Sequence, residues 1–168
     1  MSLLSIILRQ IINGLQAGSI YALVALGYSM VYGIIMLLNF AHGDVIMIGA
    51  YIAWLAMARF ALDPVLAVAA AVIGCVLLGV TIEKVAYTPL RKSPRISLLI
   101  TAIGISFLLE NASQMIFGAG AKTMPVLFPG DPVTFAGIDL SSSAILTFVV
   151  TAVSMVLLTM LVRSTKMG

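Results

Sequence analysis

Charged side chains are scarce in this sequence. Of its 168 residues 9% are Asp, Glu, Lys or Arg and 62% are hydrophobic, and the mean hydropathy is +1.19. Soluble domains carry about 25% charged residues, so a surface facing water cannot be built from this chain and a soluble globular class is excluded. Cysteine is almost missing: Cys75 stands alone in an apolar run, which rules out an internal disulfide and says nothing about redox compartment. His42 is the one histidine, and no His, Cys and carboxylate spacing suits zinc or haem, so no metal site and no cofactor is expected. There is no Ser-His-Asp arrangement, no pair of carboxylates with a credible cleft and no GxxxxGK[ST] loop, so no catalytic residue and no ATP binding by that route is expected. The apolar runs do not alternate with polar residues, which excludes a transmembrane barrel. The N-terminus lacks the short apolar core and following polar domain of a cleavable signal, and no internal repeat is visible.

What is present is a series of long apolar runs, near residues 11–38, 45–61, 65–85, 96–117 and 144–162. Each is near or above the roughly 18 residues that cross a bilayer. The expected fold is all-α: a polytopic integral membrane protein of about five transmembrane helices in one membrane-spanning domain over residues 1–168. Residues 1–12 mix Ser5, Arg9 and Gln10 with Leu and Ile and read as a short amphipathic lead-in at the interface. The net charge of +3 belongs to basic loops rather than to nucleic-acid binding. Lys84, Arg91, Lys92 and Arg95 make the turn around Pro89 and Pro94 the most basic one, so it is expected in the cytoplasm, together with Arg163 and Lys166. Residues 122–140, with Lys122 against Asp131 and Asp139, are expected outside. Asp139 or a serine among Ser141, Ser142 and Ser143 would cap the last helix. Glu83 and Lys84 read as a solvated interfacial pair, and the side of the N-terminus stays open.

On a 3.6-residue wheel, Gly14, Gly18, Ala22, Ala25, Ser29 and Gly33 line one stripe of the first helix, with Tyr21, Tyr28 and Tyr32 beside it. Leu23, Leu26, Met30, Val31 and Ile34 occupy the opposite side. Small residues let helix backbones approach closely in lipid. The small and tyrosine side is therefore expected to pack on protein and the aliphatic side to face lipid, although small residues are common in membrane helices in any case.

Between the first two runs lies Asn39-Phe40-Ala41-His42-Gly43-Asp44, a polar break without Lys or Arg. Asn39 and His42 can share a helical face, Asp44 falls in a first helical turn, where the dipole favours an anion, and Gly43 permits close approach or an unusual backbone angle. One reading is an interfacial turn. The other is a discontinuous helix at a solute path, its half-helix N-terminus able to hold a carboxylate. Glu110 and Asn111 form a second candidate, because an acidic residue inside an apolar span costs roughly 2.5–3.5 kcal/mol at the bilayer centre. A hydrated position near the outer interface is the alternative for Glu110.

These residues carry a resemblance. Asn13-Gly14, Gly18-Ser19, Tyr21-Ala22-Leu23, Gly27-Tyr28, Met30-Val31-Tyr32-Gly33, the run Asn39 to Asp44 and Met47-Ile48-Gly49-Ala50-Tyr51 form one long motif. It returns at Glu83, Val85-Ala86-Tyr87, Pro89-Leu90-Arg91, Ala102-Ile103-Gly104-Ile105-Ser106 and Lys166-Met167-Gly168. The chain resembles the permease subunit of branched-chain amino-acid ABC transporters, of which it covers about the N-terminal half, as if truncated at its C-terminus. The resemblance implies a multi-pass protein of the bacterial cell membrane that imports leucine, isoleucine, valine or a related solute such as urea or a short amide. It implies a second permease subunit, cytoplasmic ATPase subunits and an extracytoplasmic solute-binding protein as partners, alternating access driven by the ATPase, and no enzyme activity in this subunit. The alternatives are a small channel-like subunit with Glu110 or Asp44 as a ring of charge, and a non-transporting fragment that packs against a full-length permease.

Overall fold

The computed structural model describes residues 3–35, 39–125, 133–135, 138–140 and 142–164. Five α-helices lie among them: α1 Leu3–Ile35, α2 His42–Ala58, α3 Pro64–Ile82, α4 Arg95–Phe117 and α5 Ser142–Ser164. The architecture is that of a polytopic helical membrane protein. It departs from a purely helical one in a short antiparallel pair, β1 Val133–Phe135 and β2 Ile138–Leu140, in register Val133↔Leu140, Thr134↔Asp139 and Phe135↔Ile138. The proline- and glycine-rich composition around it concealed that pair in the sequence. The chain forms two compact units, Met1–Ile35 with Leu127–Gly168, and Met36–Val126.

The first unit holds α1, the hairpin and α5. α1 is one continuous helix from Leu3, so the expected amphipathic lead-in is its first turns and not a separate element. Its stretch Ile6–Gly33 is long and apolar enough to cross a membrane. A Cβ built on Gly14, Gly18 or Gly33 would meet no atom within 4 Å among the described residues. Gly14 and Gly18 border a groove of about 510 Å³ with Leu15, Ser19 and Phe148 of α5. Ala25 and Ser29 are exposed, as is Tyr21, whereas Leu23, Leu26, Met30 and Val31 are partly covered. Ala22 and Tyr28 are partly covered too, so the small and tyrosine side mixes covered and exposed positions within this chain. Ile34 lies outside the residues with described side chains. The start of α5 at Ser142 leaves the expected cap at Ser141 outside the described residues.

The second unit is built on α2, which uses two faces. One carries Gly49 and Ile52 against α3: a Cβ on Gly49 would lie 2.7 Å from Cys75 Sγ, and Ile52 fills the space beside Gly74. Cys75 Sγ also donates to the Val45 carbonyl at 3.4 Å. Gly49, Ala53 and Ala56 are buried on α2 and Ala67 on α3, so the close small-residue packing that lipid favours is found here. The other face carries Asp44 and Tyr51, two turns apart, against Ser106 and Phe117 of α4. Both pairs advance along their helices in the same sense, so α2 and α4 run parallel; the pairing with α3 runs the opposite way. On α4 the seam is Ala102, Ser106, Leu109, Ser113 and Phe117 at spacings of four and three. The outward side of α3 shows Val65, Leu66, Val72, Ile73, Val76 and Leu77, each more than half exposed, as suits lipid contact.

Two connections matter for the site. Ala61 reverses the chain between α2 and α3 with φ 48°. After α3 the helix does not stop at residue 85 as the sequence reading has it. It continues as a π turn, Glu83–Tyr87, and a 3₁₀ turn, Thr88–Leu90. Pro64–Leu90 is thereby one span long and apolar enough to cross a membrane. Glu83 is joined not to Lys84 but to Arg91, Oε1 to Nη2 at 2.6 Å, an exposed pair worth little by itself.

Candidate functional site

Asn39 starts the site. Its Oδ1 accepts from the Ala41 N–H at 3.2 Å and its carbonyl from the His42 N–H at 3.1 Å, an Asx turn that launches α2 at His42. The same Oδ1 accepts the Tyr87 hydroxyl at 2.9 Å. Ala41 is fully buried beneath this junction. Asp44 lies in the first turn of α2, where the helix dipole favours a carboxylate. It does not cap its own helix. Its Oδ2 accepts the Ser106 hydroxyl of α4 at 2.5 Å, and the residue is 8% exposed.

Ser106 differs from several other helix hydroxyls. Ser19, Ser29, Thr81, Thr101, Ser113 and Thr159 each donate to a carbonyl three or four residues back in their own helix. That arrangement satisfies a hydroxyl without a partner helix. Ser106 instead reaches across to α2. Its place in α4 gives the depth of the site: it lies eleven residues from Arg95 and eleven from Phe117. At 1.5 Å per residue that is about 16 Å from either end of a helix about 34 Å long, against a hydrocarbon core of about 30 Å. The Asp44 carboxylate is therefore level with the middle of α4. From there α2 rises to the end of α4, where Tyr51 stacks on Phe117 (centroids 4.4 Å apart, planes at 4°). Beyond it, Trp54 Nε1 donates to the Thr123 carbonyl at 3.2 Å and Lys122 Nζ lies 5.5 Å from the Trp54 ring. An aromatic pair with an indole and an ammonium at a helix end is the composition expected at a membrane interface.

The structure thus gives Asn39 and Asp44 separate partners, Tyr87 and Ser106, on either side of His42 and Gly43 at the start of α2. Gly43 is exposed and helical; among the described glycines only Gly118, at φ 80°, has a left-handed backbone, so Gly43 does not serve an unusual angle. Glu110 and Asn111 join neither pair. They sit one turn beyond Ser106 and are exposed; the Asn111 amide donates to the Phe107 carbonyl at 2.7 Å. Sequence reasoning named Tyr87 and Ser106 only within motifs. The signal available was a polar side chain inside an apolar span.

A profile of the family described as "Branched-chain amino acid transport system / permease component" matches residues 10–168. The chain is 44% identical to the high-affinity branched-chain amino acid transport system permease protein BraD of Pseudomonas aeruginosa, over 96% of its own length. It is 39% identical to the LivH proteins of the same description in Salmonella typhimurium and Escherichia coli, again over 96% of its length. In each case it spans 56% of the relative. No solved structure matches it. The membrane-length helices and this similarity together make it a multi-pass protein of the cell membrane, and the chain belongs to the family of permease components of branched-chain amino acid transport systems.

Proposed function

We propose that this chain forms the N-terminal part of the translocation subunit of an ABC importer, and that the solute passes beside residues 39–44. The observation that carries the reading is the buried Asp44–Ser106 pair level with the middle of α4. Polar side chains and a helix start at that depth are tolerated where protein or a water-filled path surrounds them, not in lipid. On this reading Asn39, His42, Gly43 and Asp44 would line the path, and Glu110 and Asn111, exposed one turn further along α4, would offer polar surface to it. The curated relatives' names support branched-chain amino acids as the solute; urea or short amides are the alternative solutes. The sequence carries no phosphate-binding loop, so ATP hydrolysis falls to a separate cytoplasmic subunit that drives alternating access. A second permease subunit and an extracytoplasmic solute-binding protein complete the assembly.

The test is uptake of radiolabelled leucine by the complete transporter in vesicles, with the amount of inserted permease measured alongside. Asp44→Asn and Asn39→Ala are each expected to lower uptake at least tenfold at unchanged insertion. Normal uptake in both would move the path away from the break and towards the Glu110 side of α4.

A further inference from the structure

The chain passes from one membrane-length helix to the next in four residues. Pro64–Leu90 and Arg95–Phe117 are both long and apolar enough to cross a membrane, and only Arg91, Lys92, Ser93 and Pro94 join them. The joint is tight: the Ser93 N–H donates to the Leu90 carbonyl and the Ser97 N–H to the Pro94 carbonyl, each at 2.9 Å. At 1.5 Å per residue the two helices measure about 40 and about 34 Å, against a hydrocarbon core of about 30 Å. The joint and the helix ends beside it therefore lie in the headgroup layer. Four cations gather there. Arg91, Lys92 and Arg95 are exposed, and the exposed Lys84, less than two turns before Leu90, has the stem length to reach the same layer. Among the described residues only Arg91 of these four is ion-paired, with Glu83 at 2.6 Å. The first turn of α4 holds no acidic residue, so the positive end of that helix adds to the charge and does not offset it.

The surface beneath the cations is apolar. Ile96 and Ile100 on α4 are each about two-thirds exposed, Val85 more so, and Val80 about half. Cations at headgroup height above bare aliphatic turns match the two parts of an anionic phospholipid, a phosphate for Arg and Lys and an acyl chain for Ile and Val. An acidic soluble protein could meet the cations but not Ile100, which lies five residues into its span. The opposite end of these helices has no such set among the described residues: Lys122 lies over the Trp54 ring, and Arg59 is followed by Asp63. We propose that residues 91–95, with Lys84, form a binding site for an anionic phospholipid of the surrounding bilayer, its phosphate held by Arg91, Lys92 and Arg95 and its acyl chain lying along Ile100. The proposal rests on the spans and the exposed side chains, and it holds whichever solute passes and whichever side the joint faces.

The experiment sets a reporter beside that lipid. Ile100→Trp in a Trp54→Phe background puts a single indole about one and a half turns below Arg95. The chain is reconstituted in phosphatidylcholine vesicles holding increasing fractions of phosphatidylglycerol brominated on its acyl chains, or of phosphatidylcholine brominated in the same way. Quenching of the indole gives the affinity of that spot for one lipid relative to the other. A preference for phosphatidylglycerol of roughly three- to tenfold is expected, as suits a few cations at a membrane surface. Arg91→Gln, Lys92→Gln and Arg95→Gln together should bring it to about one, and Arg91→Lys with Arg95→Lys should keep most of it. Lys122→Gln, at the other end, should leave it unchanged. Circular dichroism shows whether each variant is helical. Should the triple variant not insert, strong salt on the parent replaces it: screening should lower the preference towards one, and a preference indifferent to salt overturns the proposal. Equal quenching by the two lipids in the parent also overturns it and leaves the cations to an acidic face of a partner protein. A preference that survives the triple change overturns it as well, because the cations are then not its source. Inorganic phosphate, compared with chloride at equal ionic strength, should not reduce the preference; if it does, the site is one for a free anion and the lipid is excluded.

Discussion

Removing the Ser106 hydroxyl should cost far more than removing a hydroxyl that bonds only within its own helix. Ser106→Ala leaves the Asp44 carboxylate, 8% exposed and level with the middle of α4, without its donor. Hydrogen bonds to charged groups contribute about 1.5–3 kcal/mol, whereas hydrogen bonds between membrane helices average about 0.6 kcal/mol. The burial of Asp44 favours the figure for charged groups, so a loss of about 2 kcal/mol is expected. Ser113→Ala is the control. Ser113 is more deeply buried, at 1% exposure, but donates only to the Leu109 carbonyl of its own helix, which keeps its intrahelical bonding when the hydroxyl is gone; its loss should cost less than about 0.5 kcal/mol. Asp44→Asn keeps the shape and weakens the acceptor to roughly half, so in that background Ser106→Ala should cost about 1 kcal/mol less. The assay is reversible unfolding in mixed micelles with added dodecyl sulfate. Trp54, the chain's one tryptophan, is the fluorescence reporter and lies in the same unit. Equal losses for Ser106→Ala and Ser113→Ala, or a cycle with no coupling, would refute the claim that this pair joins α2 to α4.

Gly49→Leu should disrupt unfolding cooperativity and lower stability by about 1–3 kcal/mol through overpacking on Cys75, whereas Gly18→Leu, which meets open space, should leave the stability of this chain unchanged in the same titration. Ala61→Gly should stabilise the turn between α2 and α3 by about 1 kcal/mol, because φ 48° suits glycine and strains alanine. A cysteine at Ser93 should react with an impermeant maleimide only from the cytoplasmic side and one at Gly130 only from the outside; the reverse pattern would overturn the orientation drawn from Arg91, Lys92 and Arg95.

Composition alone sufficed for the membrane class. The features that escaped share one physical character: they depend on a partner in space rather than on a pattern along the chain. Pro89 read as a helix stop, since the missing N–H is visible in sequence, but the wide turn that accommodates it depends on the carbonyl geometry one turn earlier. The glycine spacing of α1 read as a packing seam, and a small-residue seam also forms on α2, at Gly49, Ala53 and Ala56. Both helices are rich in small residues, and only the shape of the neighbour decides which stripe is used. Asn39 and Asp44 stood out because polar residues are rare here; Tyr87 and Ser106, their partners, lie 48 and 62 residues further on, and no local pattern joins them.

On the proposed reading, the residues at the start of α2 would also limit how a solute is held. A helix N-terminus inside a membrane invites a carboxylate, and the sequence reading allowed a solute's carboxylate to sit at the start of α2. The geometry argues against that placement. Asp44 already puts a carboxylate in the first turn, and a second anion within a few ångströms of it would be repelled in a medium of low dielectric. Asn39 Oδ1 already accepts two donors, from Ala41 and Tyr87. If the proposed path runs here and carries an amino acid, its ammonium end rather than its carboxylate would be the one drawn to Asp44. A comparison of uptake inhibition by isovaleric acid and by isoamylamine, which carry only one end each, separates the two orientations. Isoamylamine should compete less effectively when Asp44 is Asn, and isovaleric acid should be indifferent to that change; the opposite dependence would return the carboxylate to the start of α2.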